Sequence, residues 1–201
     1  MLIGVVGLNG SGKDTFASYL SSRHGFAHKD FGQEIREELK RLGKNPLDRN
    51  EMVSLGNQRR AEFGNNYWAL RLLEGHVSQK NLVLTSVRNP AEVDEIRSRG
   101  GIIVEVFASP EVRYSRTIER VKKNPGAHGD VGSFAEFKEK DERELKSPDP
   151  SKQQLLKCIS AAEYRLDNNG SVGELGKEIE SLLEKVSEKG NGGKNAAKKK
   201  K

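Results

Sequence analysis

Apolar and polar positions follow two rhythms along this chain, and each predicts a kind of element. Short apolar runs bounded by turn residues read as buried strands at 2–6 (LIGVV), 81–86 (NLVLTS) and 102–107 (IIVEVF). Residues 26–31 (FAHKDF) alternate and predict a shorter second strand; 162–167 (AEYRLD) predict a last one. Between these runs, apolar residues recur at three and four positions, the spacing of one helix face. This predicts helices over about 33–43, with Ile35, Leu39 and Leu42 inward, then over 50–63 and 66–78, split by Gly64-Asn65-Asn66. Asn89-Pro90-Ala91-Glu92 reads as a helix start, with Asn89 as N-cap and Glu92 reaching back; that helix ends at Gly100-Gly101. Ser109-Pro110-Glu111 starts another, to about Lys123. Ser133 to Glu136 and Ser171 to Glu174 are capping boxes, the first opening a helix to about Leu145. The second opens a closing helix with Leu175, Ile179, Leu182, Leu183 and Val186 on one face. Residues 124–132 (NPGAHGDVG) are irregular, 147–151 read as a turn, and Gly190 onward is low complexity and predicted disordered.

Five strands separated by helices imply an α/β fold: a mostly parallel sheet with helices on both faces. Such sheets bind ligands at the carboxyl ends of their strands. The first strand runs into GLNGSGKDT, residues 7–15, and then into a helix. Strand, glycine-rich turn and helix N-terminus together make a phosphate-binding P-loop of the Walker A type, GxxxxGK[ST]. Gly7, Gly10 and Gly12 let the chain curl until successive N–H groups point at an anion, Lys13 adds a mobile positive charge, and the helix adds its dipole. Gly7, Leu8, Asn9, Gly10, Ser11, Gly12, Lys13, Asp14 and Thr15 are thus candidate nucleotide-binding residues. The match is seven positions of eight, because Asp14 stands where Ser or Thr usually holds magnesium, and Thr15 follows it. Asp14 and Thr15 are the candidate metal residues; Asp14 would hold the metal through water, orient Lys13, or cap the helix.

Asp30, Ser86 to Arg88, Ser109 and Asn168 all follow strands, so they should share the ligand rim. Arg88 has a fork of donors suited to a phosphate or a carboxylate. Asp30 is suited to take a proton from a substrate hydroxyl or to hold metal-bound water, and equally to cap a helix. Arg113, Arg116 and Arg120 share one helix face ahead of the glycine-rich stretch and the Phe134 to Phe137 helix. That is the make-up of a hinged lid that carries arginines onto a transferring phosphate, with Arg116 and Arg120 nearest the hinge; the alternative is a solvated charge stripe. Asp141, Glu142 and Glu144 default to a solvated helix. Trp68, Tyr67, Arg59 and Arg60 suit either base stacking and phosphate grip or the core.

Charge changes this picture little. Of the net +6, residues 188–201 carry +5, from Glu188 against six lysines, so the first 187 residues carry only +1. This argues against a nucleic-acid binder; only the basic tail is suited to touch one. No run reaches the roughly 18 apolar residues of a membrane span, and no signal peptide is read at the N-terminus. Cys158 is the sole cysteine, which excludes an internal disulfide and predicts a reducing, cytoplasmic setting. Cys158 itself reads as a small buried helix residue, with a reactive thiol as the alternative.

With those residues in view, the chain resembles the P-loop nucleotide kinases over residues 1–187. The group includes phage-type deoxynucleoside monophosphate kinases, dephospho-CoA kinases and an archaeal nucleotide-kinase-like family. GLNGSGKDT, SVRNPAEVDEIR (86–97), FKEKDEREL (137–145) and AEYRLDNNGS (162–171) carry the likeness. The GKDT variant occurs among the phage-type enzymes. The resemblance implies a three-layer P-loop NTPase fold with sheet order 2-3-1-4-5, an acceptor-binding insertion at 31–80 and a helical lid at 122–145. It implies that Arg88 meets the acceptor side and that Asn168 to Ser171 flank the donor adenine. The implied activity is transfer of the γ-phosphate of ATP, with Mg2+, to a nucleoside monophosphate or similar small nucleotide acceptor. The alternatives are a dephospho-CoA kinase or a nucleotide-binding regulatory domain without turnover. Archaeal relatives often carry an acid two residues before the arginine; here it is Ser86.

Overall fold

The computed structural model describes residues 1–76, 78–123, 132–145, 149 and 152–198, with side chains as far as 188. The central strand is β1 (Leu2–Val6). It is followed by α1 (Lys13–His24), β2 (Ala27–Asp30), α2 (Phe31–Arg41), α3 (Arg49–Phe63), α4 (Tyr67–Glu74) and β3 (Leu82–Thr85). Then come α5 (Pro90–Ser98), β4 (Ile102–Phe107), α6 (Pro110–Lys123), α7 (Phe134–Leu145), α8 (Leu155–Ser160), β5 (Tyr164–Asp167) and α9 (Val172–Lys198). The sheet order is β2-β3-β1-β4-β5, and all four pairings are parallel. This is the P-loop kinase arrangement that the resemblance implies.

Side chains along a strand point alternately to the two faces, so each inner strand feeds two cores. Ile3, Val5, Val83, Val104 and Val106 pack with Phe16, Ala17 and Leu20 of α1 and Leu175, Ile179 and Leu182 of α9. Val6, Leu82, Leu84 and Ile103 face the other way, onto Ile35 and Leu39 of α2, Leu55 of α3, Trp68, Leu72 and Leu73 of α4, and Val93 and Ile96 of α5. Apolar burial on both faces is why these strands read as unbroken hydrophobic runs. Each fully buried side chain of this size contributes about 1.5–3 kcal/mol. The edge strands β2 and β5 are only partly covered, and their sequences, AHKD and YRLD, are correspondingly polar.

The three helix starts expected from capping residues form as such. Asn89 accepts from Ala91 N while the Glu92 carboxylate accepts from Asn89 N. Ser133 and Glu136 bond reciprocally at α7, as do Ser171 and Glu174 at α9. Four expectations are corrected. The 66–78 helix is shorter, because α4 stops at Gly75. Residues 155–160, given no element above, form α8. The solvated reading of α7 fails at Asp141, which is 8% exposed. The backbone winds on as helix past Gly190 to Lys198, where low complexity predicts disorder. Of the expected hinge, 124–131 lies outside the described residues, as does most of the 147–151 turn. Trp68 belongs to the core: its indole is fully buried and donates to the Gly56 carbonyl at 3.1 Å. Cys158 is buried too, and burial pushes its thiol up to about 12.

Candidate functional site: a P-loop closed over by a helix

The loop between β1 and α1 sits at the carboxyl end of the central strand. Gly12 is its last residue and the N-cap of α1, held at φ +100. A Cβ there would lie 2.1 Å from the Asn168 side-chain nitrogen, so only glycine closes the turn. Gly7, at φ +144, would drive a Cβ to 2.4 Å from the Val106 carbonyl. Because Gly12 supplies no side-chain cap, the first N–H groups of α1 have no protein acceptor of their own. That is a backbone anion site. The Ser11 hydroxyl beside it is buried and without a partner.

Lys13 is folded back into this loop. Its Nζ donates to the carbonyls of Gly7 and Leu8, at 2.9 Å each. Burial, and after it the Arg88 charge, lower its pKa to about 8 against the pull of Asp14, Glu144 and Asp30. A bound triphosphate would raise the pKa again and keep the ammonium charged above about pH 8. Asp14 and Thr15 are exposed on the first turn of α1. Asp14 also lines a cleft of about 480 Å³ with His28, Asp30, Gln33, Glu34 and Glu37. Magnesium is commonly held by one or two carboxylates plus substrate phosphates. Asp14 and Asp30, facing one cleft beside the loop, fit that donor set.

Of the roles expected of Asp30, the structure shows the helix cap. Its Oδ1 accepts from Gln33 N and caps α2, at 2.8 Å. Its Oδ2 accepts from Thr85 Oγ1 at 2.8 Å and Ser86 Oγ at 2.5 Å. Ser86 is the one non-glycine residue at positive φ among those described, +66. Strain of this kind is concentrated at functional sites. The hydroxyl that stands in place of an acid is therefore joined directly to the neighbouring strand's acid.

The arginines separate by position. Arg88 reaches Glu144 Oε2 at 2.9 Å and Asn9 Oδ1 at 3.4 Å, beside the loop. Its placement rests on Glu92, whose Oε2 accepts from the backbone N–H groups of Arg88 and Asn89, at 2.9 and 3.0 Å, while Oε1 holds Arg60. Arg116 instead meets the Gly170 carbonyl at 3.1 Å, and Arg120 has its Nε buried without a hydrogen-bond partner. The arginine of α6 that touches the P-loop is Arg113, which is 2% exposed. It donates to the carbonyls of Ala108 and Asn9, at 3.0 and 3.3 Å, and to Asp141 Oδ2 at 2.5 Å. Its guanidinium lies over the Phe137 ring, 5.3 Å from the centroid. Sequence reasoning favoured the residues near the hinge; the first turn after β4, at the ligand rim, is the signal that singles out Arg113.

Asn168 lies under the loop: its side-chain amide donates to the Ser11 carbonyl at 2.7 Å, and its backbone N–H to Phe107 O at 2.7 Å. This braces the loop from β5. Arg60 is buried against Glu92, and Arg59 pairs with Glu38 and Glu62. These two arginines are engaged with protein carboxylates.

The model of a family described as an AAA domain matches residues 3–146. A UPF0200 protein of Methanothrix thermoacetophila is 30% identical over 187 residues, 92% of this chain and 97% of its own length. Among solved structures, a shikimate kinase from Bacteroides thetaiotaomicron superposes with a TM-score of 0.61 at 17% identity, over 93% of this chain and 98% of the other. A shikimate kinase from Aquifex aeolicus gives 0.56 at 21% identity, over 93% and 98%. These structural likenesses speak for the fold. The sequence likeness runs nearly end to end, and on it the chain belongs to the UPF0200 family, built on the P-loop kinase fold.

Proposed function

We propose that this protein transfers the γ-phosphoryl group of ATP to a small acceptor, a nucleoside monophosphate or similar nucleotide. The observation that carries this reading is the P-loop itself. An uncapped helix start, a lysine folded against two loop carbonyls and Arg88, reaching Asn9 from the neighbouring strand end, meet at this loop. Phosphoryl transfer requires positioning and charge neutralisation more than covalent chemistry. The loop amides and Lys13 would hold the β- and γ-phosphates. Arg113 holds the loop backbone in place, and Arg88 would meet the acceptor side. Asp30 would orient the attacking hydroxyl or accept its proton. Arg116 and Arg120 would take part only if α6 shifted toward the loop on closure. Asp14, with Thr15 next to it, and Asp30 would hold magnesium, which when bound neutralises charge developing on the phosphate oxygens.

A screen of acceptors with labelled ATP tests this. The panel should include the nucleoside monophosphates, dephospho-CoA and, given the names of the structural neighbours, shikimate. ADP formation that depends on one acceptor and vanishes in Lys13→Ala is the expected result. No turnover of any of them would count against catalysis. A second reading is a nucleotide-binding regulatory domain. Its support is the engagement of both Asp30 oxygens by Gln33, Thr85 and Ser86, which leaves no acid free at that strand end. Tight ATP binding in calorimetry without transfer would decide for it.

A further inference from the structure

Glu144, in the last turn of α7, enters the site as an anion. Its Oε1 accepts from the Asn9 side-chain amide at 3.0 Å and from Arg49 at 2.5 Å, and its Oε2 from Arg88 at 2.9 Å. Asn9 comes from the P-loop, Arg49 from the start of α3, and Arg88 from the end of β3. Three separate elements thus converge on one carboxylate with amide and guanidinium donors, the usual equipment for a phosphate. Gln153 also contacts Arg88, at 3.4 Å. Burial alone would raise the Glu144 pKa, but the charges of Arg88 and Arg49 outweigh it and hold the carboxyl below its ordinary range. Its charge is also felt by Lys13.

We propose that Asn9, Arg49 and Arg88 form a subsite for a phosphate monoester, and that Glu144 is its resident occupant, which the ligand must expel. The subsite faces the loop from the insertion side, so under the kinase reading, on which this inference rests, the phosphate belongs to the acceptor. Expelling Glu144 removes charged ties that help hold α7 over the P-loop; Arg113 to Asp141 is another. Acceptor arrival thereby loosens the helix that covers the donor site. The carboxylate also acts as a filter, since a ligand without a phosphate gains nothing by displacing it.

The test uses the full chain and inorganic phosphate, titrated by calorimetry with the P-loop saturated by the non-hydrolysable analogue AMPPNP and magnesium. Glu144→Gln should bind phosphate about tenfold more tightly than the parent. Adding Arg49→Ala should reverse that gain. Arg49 is largely exposed, so Arg49→Ala alone reports on the subsite even if a Glu144 variant folds poorly; it should weaken phosphate binding while leaving the thermal midpoint in place. Phosphate should also speed amide exchange across residues 134–145 of the parent. Equal phosphate affinity in the parent, Glu144→Gln and Arg49→Ala, with exchange of α7 unchanged, overturns the proposal. Failure of the kinase reading shows separately, as absent AMPPNP binding or absent transfer, and the phosphate titrations still judge the subsite in that case.

Discussion

Glu92 is fully buried, yet both its oxygens are shared between partners: the Arg60 guanidinium on one side and two backbone N–H groups on the other. Breaking a buried ion pair by removing one partner costs about 3–5 kcal/mol, because the remaining charge stays out of water. Arg60→Ala should therefore lower unfolding free energy by about that amount in urea titrations, with no contact to any ligand lost directly. Lys13 carries the residue-scale prediction in pH. Its folded pKa, about 8, lies below the ordinary lysine value of 10.5. The folded chain thus binds fewer protons than the unfolded chain between those values. The destabilising burial of the charge is present in full below pH 8 and relieved as pH rises through the window. A bound triphosphate would keep the proton on Lys13. ATP affinity should then fall as pH rises above about 8, with proton uptake on binding, measurable by calorimetry in buffers of different ionisation enthalpy.

Among the elements, α7 shows most plainly what patterning reveals and what it hides. Its start was legible in Ser133 and Glu136, because capping is local chemistry. Its inner face was hidden in the charge-rich run KDEREL. Phe137, Asp141 and Glu144 recur at four and three residues, one face of a helix, but acids on that face read as solvated unless their partners are known. The partners, Arg113, Arg49 and Arg88, come from three other elements. Helix α8 was missed for a different reason: LLKCIS is too short to show a period. Asp141→Asn keeps the shape and removes the charge opposite Arg113. It should cost about 1–3 kcal/mol and raise amide exchange through 134–145 well above the rest of the chain. If exchange rises no more there than elsewhere, the Arg113 pair does not anchor the helix.

At the scale of the whole molecule, the sheet order followed from the resemblance carried by GLNGSGKDT and SVRNPAEVDEIR, and the apolar runs located the three inner strands, with the more polar stretches 26–31 and 162–167 marking the edges. Strand burial is a property of the run itself; which arginine meets the loop depends on closeness to the strand end, a signal that the shared face of Arg113, Arg116 and Arg120 obscures. The fold also links donor binding to global stability. A ligand at about a hundred times its Kd adds roughly 2.7 kcal/mol, which for a chain of this size corresponds to about 5–10 °C in Tm. ATP with magnesium should produce a shift of that order, and Lys13→Ala should abolish it.

The chain has a single tryptophan, and the structure seals it between α3, α4 and the sheet. All of the protein's indole fluorescence therefore arises from the helical layer at 31–80. Emission should be blue and well shielded from iodide at rest. Any red shift on adding a candidate acceptor, at a concentration where ATP alone leaves the spectrum still, would report that layer parting, and would do so without a label.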